Sequence, residues 1–265
     1  MLSNPLPRRP AGGDELPRMS LLQHLEELRK RLVWSLVALA GGVAACLGYA
    51  PEICRFLARP IYKYLPAGTK LTFLGVTDPF ILYFKTSMII GSFLACPFVL
   101  WQVWRFVSPG LYARERRWAG PFVFFGWFFF VMGGLFAYYV AFPFTVQFLL
   151  EMGQEFTPMI TADRYYGFLL TILLGLGLMF ELPILIVLLS AIGLVTPSFL
   201  IRQFRWAVLI IFTAAAIITP TSDVVNLCIF AVPTVGLYLL GVGAAALVTR
   251  AKRKRVAEAA GASAS

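Results

Sequence analysis

The apolar residues of this 265-residue chain fall into six long runs, and most charged residues lie in the segments between them. The hydrocarbon core of a bilayer is about 30 Å thick, so a helix needs about 20 mostly apolar residues to cross it. We predict six transmembrane helices, at residues 32–50, 79–104, 118–142, 165–192, 204–219 and 224–248. The fold class that follows is an all-α integral membrane protein.

An amphipathic segment precedes the first run. Ser20 and Gln23 have the spacing of a helix-capping box, and leucines then recur at every third or fourth position. We predict an interfacial helix that continues into the first span. The predicted domains are a disordered tail at 1–18, one membrane domain at 19–249, and a basic, disordered tail at 250–265.

The distribution of Lys and Arg predicts the orientation. Seventeen of the 23 basic residues lie on the side that holds the N-terminus, five lie on the other side, and Lys85 falls inside a span. Basic residues concentrate in cytoplasmic loops. Both termini are therefore predicted to be cytoplasmic, which requires an even number of spans. The connection at residues 51–77 is predicted to hold one or two short helices on the outer surface.

The fifth predicted span is short. Its apolar part, residues 206–219, gives a helix of about 21 Å at 1.5 Å per residue. Such a helix must thin the bilayer, recruit flanking residues or lean on its neighbours. The open alternative is an ordinary span whose ends lie elsewhere.

Two charged patches occur on the predicted cytoplasmic side, HLEELRKRL at 24–32 and LYARERR at 111–117. An ordinary interpretation is that Glu27 pairs with Arg31 along the helix, worth about 0.3 kcal/mol, and that Glu115 neutralises its neighbouring arginines. The alternative is a binding site. Two carboxylates on one membrane face, each surrounded by arginines, could accept two guanidinium groups of a ligand as bidentate forks.

Other polar residues lie in or next to the spans. Glu181, in the sequence FELPILIVLL, lies inside the fourth span, where an ionisable group costs roughly 2.5–3.5 kcal/mol and marks a functional position by default. Its alternative role is a hydrogen bond to Thr, Ser or Gln of a neighbouring helix. Gln102 is expected to hydrogen-bond a residue of a charged patch. Lys85 is expected to snorkel, and Asp223 to cap the sixth span.

Several classes of function are excluded by motifs that the sequence lacks. It has no HExxH, GxSxG or P-loop motif, and His24 is its only histidine, so we predict no enzyme, no metal site and no cofactor. The net charge of +10 lies in topology-determining loops, which argues against nucleic-acid binding. The four cysteines lack ligand spacing and are read as packing residues, with a Cys54–Cys228 disulfide as the open alternative.

Four ordered segments closely resemble the TatC family, the multispanning core of the twin-arginine protein translocase: HLEELRKRL, QVWRFVSPGLYARERR, FELPILIVLL and ITPTSD. The similarity covers about residues 20–248. It implies a concave, glove-like arrangement of six helices with both termini cytoplasmic and a short fifth and sixth helix. It also implies a location in the bacterial cytoplasmic (inner) membrane.

The resemblance implies roles for individual residues. Glu27 and Glu115 match the carboxylates that bind the two arginines of a twin-arginine signal peptide, and Arg29 and Phe106 match the same recognition surface. Glu26 adds a second acid beside Glu27, which leaves open which of the two contacts an arginine.

The remaining candidate residues belong to two groups. Glu181 matches the intramembrane acid that meets TatA-type single-span partners, and Gln102 is grouped with it as a polar residue of the membrane region. Pro60 and Asp223 match structural positions on the outer face. The departure after Asp223, where Val224 follows instead of the usual proline, weakens only the role of Asp223.

The function implied is to bind twin-arginine signal peptides of folded cargo and to recruit TatA- and TatB-type subunits. Export would use the protonmotive force, and the expected partners also include membrane lipid and further copies of this chain. The alternatives are a secondary transporter of a small solute and a structural scaffold. A transporter predicts an inverted repeat around a midplane site, and the two halves of this sequence show no such repeat.

Overall fold

The computed structural model describes residues 21–64, 71–108, 119–155, 159–219 and 223–262, with the backbone alone for residue 21 and residues 251–262. Most of this part of the chain is helical. Its α-helices are α1 (Leu21–Leu47), α2 (Ala50–Leu57), α3 (Asp78–Val107), α4 (Ala119–Phe136), α5 (Phe142–Met152), α6 (Ala162–Phe180), α7 (Leu182–Ala191), α8 (Pro197–Arg202), α9 (Phe204–Ile218) and α10 (Val224–Ala262).

Five helical segments of the described chain are long and apolar enough to cross a membrane, and α9 is a sixth, shorter apolar helix of 15 residues. The predicted all-α membrane fold with a short fifth helix is therefore confirmed. The last helix, α10, continues to Ala262, through residues for which the sequence predicted a disordered tail.

The third segment is longer than predicted. It runs over Ala119–Met152 instead of ending at residue 142, because a π-helical turn at Ala137–Ala141 joins α4 directly to α5. Pro143 follows this turn directly and has no N–H to donate to the preceding turn, so the helix passes the proline where its hydrogen-bond pattern already changes. The prediction was wrong at this end because it treated Pro143 as the end of the helix.

Helix α1 packs along α3 through small and polar residues. A Cβ atom on Gly42 would lie only 2.5 Å from the carbonyl oxygen of Gly91, so the two backbones touch. Three leucines that the sequence placed on one helix face, Leu25, Leu28 and Leu32, are exposed. Since lipid tails are as apolar as leucine, a leucine face has no need of protein cover in a membrane.

The predicted short helices between the first and second spans are α2 and a 3₁₀ turn at Ile61–Lys63. The last carbonyl groups of a helix have no partner within it. Three tyrosine hydroxyls donate to carbonyls in the last turn of α2 at 2.6–2.8 Å: Tyr138 to Phe56, Tyr165 to Leu57 and Tyr166 to Cys54. The tyrosines thus fasten α2 to the membrane helices.

All four cysteines are free thiols, so the alternative Cys54–Cys228 disulfide is not formed. The Sγ atom of Cys54 is buried and donates to Thr86 Oγ1 at 3.5 Å. Burial raises the pKa of the Cys54 thiol above its ordinary value. Cys54 is therefore a packing residue between α2 and α3, as predicted for the cysteines as a group.

The N-terminus of α10 is fixed by Asp223, whose Oδ1 accepts the backbone N–H of Asn226 at 2.7 Å. The predicted N-cap is confirmed. The side-chain amide of Asn226 also donates to Asp223 Oδ2 at 2.8 Å, and its Oδ1 lies 2.8 Å from Thr145 Oγ1. Thr145 and Asn226 are fully buried, so this polar chain joins α10 to α5 in the interior.

Candidate functional site

The charged end of α1 lies against the C-terminal part of α3. Glu27 Oε1 accepts a hydrogen bond from Arg31 Nη2 at 3.0 Å, and their side chains are only 15% and 17% exposed. Arg31 Nη1 reaches Gln102 Oε1 on α3 at 3.4 Å. The expected contact between Gln102 and a charged patch residue is therefore present, and it joins the two helices.

This pair is only half satisfied. Glu27 Oε2 and Arg31 Nε are buried and have no hydrogen-bond partner among the described residues. A buried polar atom without a partner costs about 1–3 kcal/mol, more when it carries charge. An ordinary surface ion pair does not have this cost, because water satisfies its free atoms. One oxygen of the Glu27 carboxylate can therefore accept a further hydrogen bond.

An aromatic stack lies beside this pair. The rings of His24 on α1 and Phe106 on α3 have centroids 4.5 Å apart and an interplanar angle of 21°. The stack adds a second contact between the ends of the two helices. Arg29 is exposed and forms no ion pair with any described residue, so the structure does not bring it to Glu27.

Glu115 lies outside the described residues, as does the rest of the segment 109–118. The two ends of that segment are described. Trp104, near the end of α3, packs on Phe122, near the start of α4, with ring centroids 5.0 Å apart. Both rings belong to a small buried cluster with Leu188 of α7. Helix α3, which carries the Gln102 contact with Arg31, ends at Val107, so segment 109–118 follows it directly in the chain.

Glu181 occupies a break between α6 and α7, where it ends one helix and begins the next. Pro183 sits in the first turn of α7. The carboxylate faces α3 and α4: Cys96 Sγ lies 3.9 Å from Glu181 Oε1, and a Cβ atom on Gly126 would lie 3.4 Å from Oε2. The ordinary role expected for Glu181 was a hydrogen bond to Thr, Ser or Gln of a neighbouring helix; among the described residues its partner is instead the thiol of Cys96, at a long distance.

Helix α3 connects the two acidic positions. Cys96 lies beside Glu181, while Phe106 stacks on His24 and Gln102 contacts Arg31, one helical turn of α1 before and after Glu27. The ten residues from Cys96 to Phe106 correspond to about 15 Å of helix. Sequence reasoning missed Cys96, Gly126 and His24 as neighbours of the acids; His24 alone had a signal, its place in the HLEELRKRL segment.

The remaining candidates lie near α2, at the opposite end of α3. Pro60 is buried at the start of the 3₁₀ turn, and Asp223 caps α10. Lys85 forms an ion pair with Asp163 at 3.1 Å, with both side chains about half exposed. Within the described ranges, no three His, Cys, Asp or Glu side chains gather closely enough to hold a metal ion.

Comparisons with known proteins agree with this architecture. Residues 23–233 match the family model described as Sec-independent protein translocase protein (TatC). The chain is 45% identical over 262 residues to the Sec-independent protein translocase protein TatC of Koribacter versatilis, with 97% of each chain covered. It is 38% identical over 232 residues to that of Deinococcus radiodurans, with 86% of each covered.

Solved structures give the same result. Two crystal structures of a twin arginine translocase receptor, TatC, superpose with TM-scores of 0.74 and 0.76 at 34% and 33% identity. They cover 85% and 84% of this chain and 99% of their own. Nothing in these comparisons supports the solute-transporter alternative. The match over residues 23–233, the identity to these relatives and the superposition on the solved structures together show that the chain belongs to the TatC family.

Proposed function

We propose that this protein is the signal-peptide receptor and core subunit of a twin-arginine translocation system, which exports folded proteins with the protonmotive force. Its relatives carry the name of Sec-independent translocase proteins, and the similar solved structures are of a translocase receptor. The single observation that carries the proposal within this chain is the half-satisfied carboxylate of Glu27.

A guanidinium group is the natural partner for that carboxylate. Glu27 Oε2 needs a donor, and an incoming arginine can supply one while Arg31 keeps Oε1. The planar fork of arginine presents several N–H groups in a fixed arrangement, whereas lysine presents a compact, strongly hydrated ammonium. The second arginine of the motif would bind Glu115. Of the adjacent acids Glu26 and Glu27, we assign Glu27 to the first arginine, because its partner Arg31 contacts α3.

Phe106 and Arg29 would complete the recognition surface. The Phe106 ring, stacked on His24, is an apolar plate next to Glu27 against which the stem of a bound arginine can pack. Arg29 is exposed on the same end of α1, where its charge would repel peptides with additional cations. Gln102 would hold Arg31 in place while the peptide binds.

Glu181 would act with the partner subunits instead. It lies in a membrane-spanning segment at a helix break and makes only a long contact with Cys96. A polar side chain of a TatA- or TatB-type single-span helix could give it a better hydrogen bond. We assign signal binding to the Glu27 end of α3 and subunit recruitment, including self-association, to the membrane-embedded surface.

We also propose the orientation. The basic residues cluster on the side that holds Glu27, which supports a cytoplasmic location of both termini and a location of the protein in the bacterial inner membrane. Pro60 and Asp223 would then stabilise the outer face, one by closing the turn after α2 and the other by capping α10.

Photocrosslinking tests the proposal. A benzophenone amino acid replaces Phe106, which keeps an aromatic ring at the site, and the full-length protein in membranes is irradiated with a signal peptide that carries RR or KK. We expect a crosslink to the RR peptide alone, and its loss in the Glu27→Gln and Glu115→Gln variants.

Two controls make the result decisive. The same photoreactive residue in place of Phe73, which is exposed and lies near α2, should give no crosslink to either peptide. Glu52→Gln removes the acid of an exposed helical ion pair with Arg55 and should change nothing. Equal labelling of RR and KK peptides at residue 106 would reduce the site to non-specific surface charge and overturn the proposal.

A further inference from the structure

The short helix α9 leaves one face of α6 uncovered. At 1.5 Å per residue, its 15 residues span about 22 Å, less than the roughly 30 Å of the hydrocarbon core. Its last residue, Ile218, packs against Gly175 of α6. Gly175 lies 13 residues after the start of α6 at Ala162, or about 20 Å along that helix. The part of α6 before Gly175 therefore extends past the end of α9.

A groove of about 690 Å³ lies along this face, between α3, α6 and α9. It extends from Gly167 of α6 to Leu182, the first residue of α7, which corresponds to about 22 Å of helix. Its walls are apolar except at two positions, Lys85 and Thr171. The Thr171 hydroxyl donates to the Gly167 carbonyl at 2.7 Å, so it does not need water or a polar ligand.

The mouth of the groove is cationic. Lys85 lines it and is bridged to Asp163, with half of its side chain still exposed. Arg164 is exposed, lies three residues before Gly167 on the same face of α6, and forms no ion pair with a described residue. Two cations against one carboxylate leave an excess positive charge where the groove opens at the α2 end.

We propose that this groove is a binding site for an anionic phospholipid, with one acyl chain along α6 and the phosphate at Lys85 and Arg164. The exposed cations at the mouth, above an apolar groove, favour an occupant with an anionic headgroup and an apolar chain. The lipid would fill the space left by the short α9 and brace that helix against α3.

Gly167 lines the groove, and a Cβ atom built on it would meet no atom within 4 Å. Since glycine has no side chain to occupy this space, the mouth of the groove is open. A leucine at this position would enter the groove without a clash in the protein. Gly243 on α10 also has open space around it and is the matched control. Gly167→Leu should therefore block the lipid, whereas Gly243→Leu should not.

The first test is a lipid titration of the purified, delipidated full-length protein, followed by native mass spectrometry with phosphatidylglycerol or phosphatidylcholine. We expect one tightly retained phosphatidylglycerol. The Lys85→Gln/Arg164→Gln variant should retain it about 30-fold less well, since each cation near an anionic lipid surface contributes roughly a fivefold factor. Equal retention of both lipids, or undiminished retention in the double variant, would overturn the proposal.

The second test identifies the occupant directly. A photoreactive amino acid replaces Thr171, and the protein is irradiated in its native membrane. An adduct with the mass of a phospholipid, lost in Gly167→Leu and kept in Gly243→Leu, is the expected result. An adduct with a signal peptide or a single-span subunit would overturn the lipid assignment. Folding of each variant is checked by its binding of the RR peptide at the other end of α3, which this proposal leaves unchanged.

Discussion

The Glu27 carboxylate accepts a hydrogen bond from Arg31 through one oxygen, at 3.0 Å, while its second oxygen is buried without a partner among the described residues. The two residues have the ordinary i,i+4 spacing of a helical ion pair, but packing against α3 removes most of their contact with water. Glu52 and Arg55 provide the contrast within the same chain: their pair is exposed, and water can reach every free atom.

Replacing Glu27 by Gln should weaken binding of an RR signal peptide by about 10- to 100-fold. The variant keeps the size of the side chain and removes one charge-assisted hydrogen bond, worth about 1.5–3 kcal/mol. Fluorescence anisotropy of a labelled peptide with the purified protein measures the change. Glu52→Gln is the control and should bind as the unmodified protein does; a similar loss in both variants would point to a general charge effect.

Replacing Glu181 by Ala should leave RR peptide binding unchanged and weaken assembly with single-span subunits by about three- to tenfold. Interhelical hydrogen bonds in membranes average about 0.6 kcal/mol and reach about 1.7 kcal/mol. Co-purification of a tagged single-span subunit measures assembly, with Glu155→Ala in an exposed connection as the control. Loss of peptide binding in Glu181→Ala would contradict the division of labour along α3.

A valine at position 42 should destabilise the protein by about 1–3 kcal/mol, whereas a valine at position 41 should have almost no effect. A Cβ atom at Gly42 would meet the Gly91 backbone at 2.5 Å, and one at Gly41 would meet nothing within 4 Å. Thermal unfolding in detergent compares the two adjacent substitutions. Equal melting temperatures would show that α1 and α3 are not packed through their glycines.

Replacing Tyr166 by Phe should lower the free energy of unfolding by about 1 kcal/mol. The change removes a buried hydroxyl that donates to the Cys54 carbonyl at 2.6 Å, and the loss is limited because the N–H of Ala58 still donates to the same carbonyl. Tyr139→Phe, at an exposed ring, is the matched control. The prediction fails if both variants unfold at the temperature of the parent protein.

Thiol labelling tests the orientation and the buried layer together. A thiol introduced by Tyr62→Cys, at an exposed position after α2, should react from outside intact cells with a membrane-impermeant maleimide. Native Cys54 should react slowly at pH 7, because burial shields it and raises its pKa, which lowers the fraction of reactive thiolate. The labelling rate of Cys54 should continue to increase with pH above the pH at which the labelling rate of the introduced thiol becomes constant. Protection of the introduced thiol in intact cells would reverse the proposed topology.

The sequence by itself determined the helical membrane fold, the short fifth helix and the cap at Asp223. These features depend on local properties: the length of an apolar run, the rise per residue of a helix, and the reach of a side chain to a backbone three residues away. The end of the third span was predicted wrongly because a proline occurs both just after the end of a helix and in the first turn of a new helical segment. Only the path of the chain into α5 distinguishes the two cases.

Only the tertiary structure decided which neighbours surround each acid. The i,i+4 spacing of Glu27 and Arg31 predicts a weak surface pair. The sequence predicted that Gln102 contacts a charged patch, but not that its partner is Arg31, 71 residues away, or that the pair is buried. The groove beside α6 likewise exists because α9 ends opposite Gly175, a relation between two helices far apart in the chain. Burial and volume are properties of packed surfaces, and a one-dimensional pattern of residue types does not contain them.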